Sequence, residues 1–308
     1  MRDGGRVMKP DAITLLDAGM GKTLSLRGVN IPPTIWSANA LIVAPEVVVD
    51  VHKENIDAGA NLITTNSYGV IRSDLAKENI DYMYGELNVL AGELAQQAIA
   101  ETGSGQRVSI AGSLPPLNGS YRPDRVLSRE VLEPLYKEQA ALLAPYVDVF
   151  LCETMSSITE ALAALAAAKE VGKPVLVALT LHDEESACLR SGETLEEALT
   201  QLLELKPSGV LLNCCLPERI SDSMSILATA DLDYRGGYAN AFTRVPKDWL
   251  LDGHKENDGS LILREDLSPE NYSKFVADWL QKGANIVGGC CGTTARHTQA
   301  ISQLLDRV

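Results

Sequence analysis

"ANIVGGCC", residues 284–291, reads as a β-strand that ends in two neighbouring thiols. Its apolar residues run on without polar alternation, as in a strand buried on both faces. Seven similar runs precede it: "AITLLDAG" (12–19), "ANLITTNS" (60–67), "RVSIAGS" (107–113), "VDVFLCET" (147–154), "PVLVALTL" (174–181), "GVLLNCC" (209–215) and "YRGGYAN" (234–240). Segments with apolar residues at three- and four-residue spacing lie between them. Examples are "REVLEPLYKEQAALLAPY" (129–146) and "SITEALAALAAAKEVG" (157–172), the second ending in the C-cap candidate Gly172. An eighth strand makes the alternation complete and favours an α/β fold of the (β/α)8 TIM-barrel type over an open doubly wound sheet. The open sheet would normally carry a Gly-rich first turn; "DAGMGKT" (17–23) lacks both the GxGxxG and the GxxxxGK[ST] spacing.

The 308 residues suit one such barrel, which typically needs about 250. We expect a single domain over 1–308, with 1–11 as a flexible lead-in and "FTRVPKDWLLDGHKENDGSLILREDLS" (242–268) as a surface excursion. The polar N-terminus has no signal-peptide core, and no run of 18 apolar residues exists, which points to a cytoplasmic protein with no membrane partner. A net charge of −14 argues against a nucleic-acid partner, which would require basic surface. A monomer or small homo-oligomer is expected.

Barrel enzymes place their chemistry at the C-terminal strand ends. Those ends carry Asp17, Thr64–Asn66, Gly112–Ser113, Cys152–Glu153, Asn213–Cys215, Asn240 and Cys290–Cys291. Four of the six cysteines thus form two adjacent pairs, a clustering that in a reducing compartment suggests metal or redox chemistry. Three thiolates would make a tetrahedral zinc site with an open fourth position. Successive strand side chains point to opposite faces, so Cys290 and Cys291 can share a metal only if the backbone bends; Gly288, Gly289 and Gly292 would permit that. Spacing alone leaves other readings open: a phosphate cradled by the glycine pair, or thiols that only pack, as expected of Cys152 and Cys188. The histidines His52, His182, His254 and His297 form no ligand motif.

"GGCCGTT" (288–294) together with "NC" (213–214) resembles the homocysteine S-methyltransferase family. The likeness extends along the chain through "DAGMGKTL" (17–24), "IWSANAL" (35–41), "AGANLITTNSY" (58–68), "AGS" (111–113), "ET" (153–154), "SGETLEEAL" (191–199) and "YAN" (238–240). The resemblance implies zinc held by Cys214, Cys290 and Cys291, and methyl transfer to the thiol of homocysteine, giving methionine. Cys215 is a departure that leaves two candidates for the ligand after Asn213. A free thiol of pKa near ~8.5 is mostly protonated at neutral pH, and zinc coordination deprotonates it. Three thiolate ligands would keep the bound sulfur nucleophilic.

By the same resemblance Asp17 and Glu153 hold the homocysteine ammonium; the backbone of Gly19, Met20 and Gly21, at a helix N-terminus, is expected to accept the substrate carboxylate, and Asn213 to orient the site by hydrogen bonding. Methyl donors of this class are cations, so aromatic faces are fitting partners; Trp36, Tyr68, Tyr121 and Tyr238, with Asn240, are the donor-pocket candidates. Ala18, "AGSLPPLNGSYRPD" (111–124) and "YANAF" (238–242) depart from the family pattern where donor choice is made. S-methylmethionine is the first expectation, S-adenosylmethionine the second, another sulfonium or betaine the third. A phosphate-ligand barrel enzyme and a non-catalytic zinc or redox thiol protein are the rival classes.

Overall fold

The computed structural model describes residues 8–105, 107–246, 249 and 261–307. Eight strands form one parallel sheet: β1 (Thr14–Leu15), β2 (Leu62–Thr64), β3 (Ser109–Leu114), β4 (Val149–Met155), β5 (Val175–Leu179), β6 (Gly209–Asn213), β7 (Tyr234–Ala239) and β8 (Ile286–Gly289). The hydrogen-bonded order is β1-β8-β7-β6-β5-β4-β3-β2. A parallel bridge between Leu16 and Leu62 closes the ring. At this seam the Asp17 N–H donates to the Leu62 carbonyl (3.1 Å) and Asn61 N–H to the Leu15 carbonyl (2.9 Å). The Asn61 side chain supplies the acceptor for Leu15 N–H at 2.8 Å, which explains why so short a β1 leaves no donor unpaired. The fold is therefore a (β/α)8 barrel, as the eight apolar runs predict.

Two apolar layers follow from the two-residue period of the strands. Leu16, Leu62, Leu151, Leu176, Leu211 and Ile286 fill the barrel interior, whereas Leu15, Ile63, Phe150, Val177, Leu212 and Val287 pack outward beneath the helices. Burial on both faces is why these runs show no polar alternation. The helix Ile158–Lys169 is capped by Ser157, whose Oγ accepts from Glu160 N–H at 3.3 Å. Thr194 and Glu197 form a capping box for Leu195–Glu204. Gly172 lies three residues beyond the end of the first of these helices with φ +80°, consistent with a stop there.

In the expected lead-in, residues 1–7 lie outside the described residues. Met8 packs against the interior cluster and its carbonyl accepts from the Tyr234 hydroxyl. Of the segment 242–268, residues 247, 248 and 250–260, His254 among them, also lie outside. Its described parts differ from a simple surface excursion. Phe242 pairs antiparallel with Leu263, and both Phe242 and Trp249 are buried. Apolar residues dispersed among the polar ones draw the ends of this segment onto the barrel mouth. Among the described residues, no helix is long and apolar enough to cross a membrane.

His52 is fully buried in the helix Pro45–Asp57, and neither ring nitrogen has a partner among the described residues. Burial lowers its pKa from 6.5 to about 4. The unfolded chain therefore binds a proton that the fold refuses, so this contribution to stability is present above pH 6.5 and is lost as the pH falls towards 4. At about 1.4 kcal/mol per unit, the loss should reach roughly 3 kcal/mol. His52→Leu is expected to flatten the decline of urea midpoints between pH 6.5 and 4; parallel declines in both proteins would refute this.

Candidate metal centre and substrate cavity

The C-terminal strand ends surround a cavity of about 390 Å³. Cys214, Cys290 and Cys291 line it, and their sulfur atoms all lie within 4.8 Å of one another. Each reaches the mouth by a backbone irregularity. Cys214 follows β6 in the left-handed region, at φ +50°. Its N–H donates to Tyr238 O (3.1 Å), and its carbonyl accepts from Asn240 Nδ2 (2.9 Å) and Thr180 Oγ1 (3.3 Å). Cys290 extends β8 by one more bond, its N–H donating to Ala239 O at 2.9 Å, and a turn closes immediately when Thr293 N–H reaches Cys290 O at 3.1 Å. That turn frees Cys290 and Cys291 from the opposite-face rule.

The expected role of the flanking glycines needs correction. Only Gly292, at φ +82°, is left-handed; Gly288 and Gly289 belong to regular strand. They make room instead, because a Cβ on Gly289 would stand 2.3 Å from Thr293 Oγ1. The Gly289 N–H already donates to Asp17 O (3.3 Å), which removes it from the phosphate cradle considered as an alternative.

Cys215 is fully buried in the layer between sheet and helices, outside the sulfur cluster, and burial raises its thiol to about 12. Cys152 is likewise fully buried with its thiol raised by burial, while Cys188 is half-buried beside Thr194. Within the cluster, contacts from Cys290 and then Cys291 hold the Cys214 thiol well below its usual range. Three soft sulfur donors converging at an open cavity suit a zinc-like ion with one position free for substrate.

Two carboxyl groups share the cavity. Thr64 holds Asp17 with its N–H (2.8 Å to Oδ2) and its hydroxyl (2.9 Å to Oδ1). The Ser113 hydroxyl donates to Glu153 Oε1 and the Tyr238 hydroxyl to Oε2 at 3.2 Å. Burial, the largest influence on each, raises Asp17 from 3.8 and Glu153 from 4.5, both to about 7. Neither carboxylate has a cationic side-chain partner among the described residues. Such a pair offers binding to a small ammonium group.

The remaining expected residues divide. Met20, Trp36, Tyr68, Tyr121 and Tyr238 line the cavity. Gly19 lines it too, but its N–H already donates to Thr293 Oγ1 (3.3 Å), and a Cβ there would stand 2.6 Å from Cys290 O. Asn213 and Asn240 are fully buried behind the lining. Asn213 Oδ1 accepts from Thr154 N–H (2.9 Å) and its Nδ2 donates to Thr154 Oγ1 (3.0 Å). It thereby fixes an irregularity in β4, with Thr154 at φ +63°, directly after Glu153. Trp36 (φ +49°) and Tyr121 (φ +63°) are also left-handed, so strained backbone collects around this cavity. Sequence reasoning missed Lys22, Phe242 and Trp249 as lining residues and Ser113 as a carboxylate partner; for Ser113 and Thr64 the only signal is a position at a strand end.

A family model described as homocysteine S-methyltransferase matches residues 14–305. The chain belongs to the homocysteine S-methyltransferase family. A curated relative, the homocysteine S-methyltransferase of Escherichia coli (strain K12), is 29% identical over 308 residues, covering 94% of each chain. Among solved structures, the E. coli homocysteine methyltransferase MmuM in its metallated form aligns at TM-score 0.80 with 24% identity, covering 96% of both chains. Its apo form aligns at TM-score 0.71 with 22% identity, covering 95% of this chain and 96% of that one. These structures share the barrel. As a member of the homocysteine S-methyltransferases the chain is a methyl-transferring enzyme, and Cys214, Cys290 and Cys291 are the described group that could hold its metal ion.

Proposed function

We propose that this homocysteine S-methyltransferase uses zinc held by Cys214, Cys290 and Cys291, and takes the methyl group from a sulfonium donor, S-methylmethionine first. One observation supports the reading above others: a thiol cluster and two carboxyls without an ion-pair partner among the described residues face the same aromatic cavity. When bound, zinc would supply the Lewis acidity that keeps a substrate thiol deprotonated at neutral pH. Asp17 and Glu153 hold the homocysteine ammonium, their oxygens oriented by Thr64, Ser113 and Tyr238. The homocysteine sulfur then attacks the donor methyl carbon; the carbon–sulfonium bond breaks, and the donor departs as a neutral thioether. Trp36, Tyr68 and Trp249 offer aromatic faces to the donor's positive charge and exclude water from the reacting atoms. Half-buried Lys22 at the same cavity suits a donor that also carries a carboxylate. A zinc or redox thiol protein without methyl transfer would have no use for the two carboxyls.

The test is turnover of zinc-loaded protein with homocysteine and, separately, S-methylmethionine, S-adenosylmethionine and betaine, followed by methionine analysis. S-methylmethionine is expected to give the highest kcat/KM. Faster turnover with either other donor would overturn the donor assignment, and no methionine from any would overturn the function.

A further inference from the structure

Behind the metal-binding thiols lies a buried ion pair that the proposed chemistry does not use. Arg190 and Asp183 are 7% and 5% exposed at their side chains, and Arg190 Nη2 stands 3.1 Å from Asp183 Oδ2. The same carboxylate oxygen accepts from Val245 N–H at 2.9 Å. The guanidinium carbon sits 4.5 Å from the centroid of the Tyr121 ring, over its face, and Trp249 packs against that ring edge-on at 5.3 Å. The Tyr121 oxygen lies 2.9 Å from Cys214 Sγ. With Cys214 as a thiolate, the phenol is the donor. A second route runs through Thr180, whose Oγ1 accepts from Arg190 Nε at 3.5 Å and donates to the Cys214 carbonyl at 3.3 Å.

A buried ion pair is a poor device for stability alone, since desolvation offsets most of its Coulomb gain and apolar residues of the same volume often do as well. Here the pair has a geometric task. Both Tyr121 and Cys214 occupy left-handed backbone, which persists only where surroundings over-determine it. A planar guanidinium over the ring restrains its tilt, and Asp183 neutralises the arginine so that no net charge is added beside the thiolates. We propose that Arg190, held by Asp183, is a positioning residue for the metal centre: it clamps the Tyr121 ring so that the phenol hydroxyl stays on the sulfur of Cys214. The hydrogen bond draws charge from that one sulfur and fixes its lone pairs relative to Cys290 and Cys291.

This inference rests on the thiolate metal centre proposed above, and Co2+ titration of the metal-free full-length protein separates the two. Wild-type protein that develops no thiolate-to-cobalt absorption would overturn the metal centre itself. Given wild-type binding, Arg190→Met is expected to weaken Co2+ affinity about 10- to 100-fold, the usual effect of removing an outer partner of a metal ligand, and to alter the visible ligand-field bands. Arg190→Lys keeps the charge facing Asp183 and loses the planar stacking, so it should fold and show the same altered bands. Tyr121→Phe should reproduce the affinity loss, and Arg190→Met added to it should cost little more, because both act through one hydroxyl. Wild-type affinity and bands in Arg190→Lys, or losses that simply multiply in the double variant, would overturn the proposal.

Discussion

Cys214→Ala is expected to remove both bound metal and methyl transfer, while Cys215→Ala retains both. The two residues are neighbours in sequence, yet only the sulfur of Cys214 joins those of Cys290 and Cys291. Loss of an outer partner typically lowers metal affinity roughly 10- to 100-fold, so loss of a direct sulfur ligand should exceed about 100-fold. With zinc absent, homocysteine would stay largely protonated at neutral pH, and turnover should fall by a comparable or larger factor. Cys215, fully buried with its thiol raised to about 12, is an inert packing group; its truncation should cost about 1 kcal/mol of stability. Metal content by atomic emission after anaerobic purification, alongside methionine formation, decides the matter. A Cys214→Ala protein with stoichiometric zinc and undiminished turnover would contradict the ligand set.

Glu153→Gln carries the second large effect, on substrate binding. The carboxyl group is buried, accepts from the Ser113 and Tyr238 hydroxyls, and shares the cavity with Asp17. Hydrogen bonds to charged groups contribute about 1.5–3 kcal/mol, so losing the proposed Glu153–ammonium contact should raise the KM for homocysteine roughly 10- to 150-fold. The amide also has one acceptor oxygen where the carboxylate has two, which obliges one hydroxyl to turn away. Asp17→Asn should act in the same direction. The informative control is a thiol substrate lacking the amino group: both variants should handle it nearly as the wild type does. An unchanged homocysteine KM in Glu153→Gln would remove this carboxyl from ammonium binding.

Much of the fold is legible in the chain because it depends on local order. Each apolar run is short, is buried on both faces and is followed by a segment of helical period, and all eight appear as strands at the expected places. Strand ends are less legible. β1 covers only Thr14–Leu15, because the barrel seam is completed by the Asn61 side chain and a single bridge at Leu16. The cysteine pairs announce soft-metal chemistry by their adjacency, and the resemblance supplies a ligand set.

Arg190 shows the other limit. It stands in "CLRSGET" (188–194), where nothing local distinguishes it from a surface arginine, and it gains significance only by stacking on a ring 69 positions earlier in the chain. Likewise Gly19 touches the turn at Cys290 across 274 positions through Thr293. Periodicity, turn chemistry and thiol adjacency therefore determined the barrel and the kind of site, since these are properties of neighbouring residues. Closure of the eight-stranded ring placed the sulfur of Cys214, and not that of Cys215, beside those of Cys290 and Cys291, brought Asp17 and Glu153 to one cavity and set Arg190 over the Tyr121 ring. Such convergence depends on where side chains from distant strand ends point, and left-handed residues at Cys214 and Tyr121 are imposed by surrounding contacts and not by their own conformational preference.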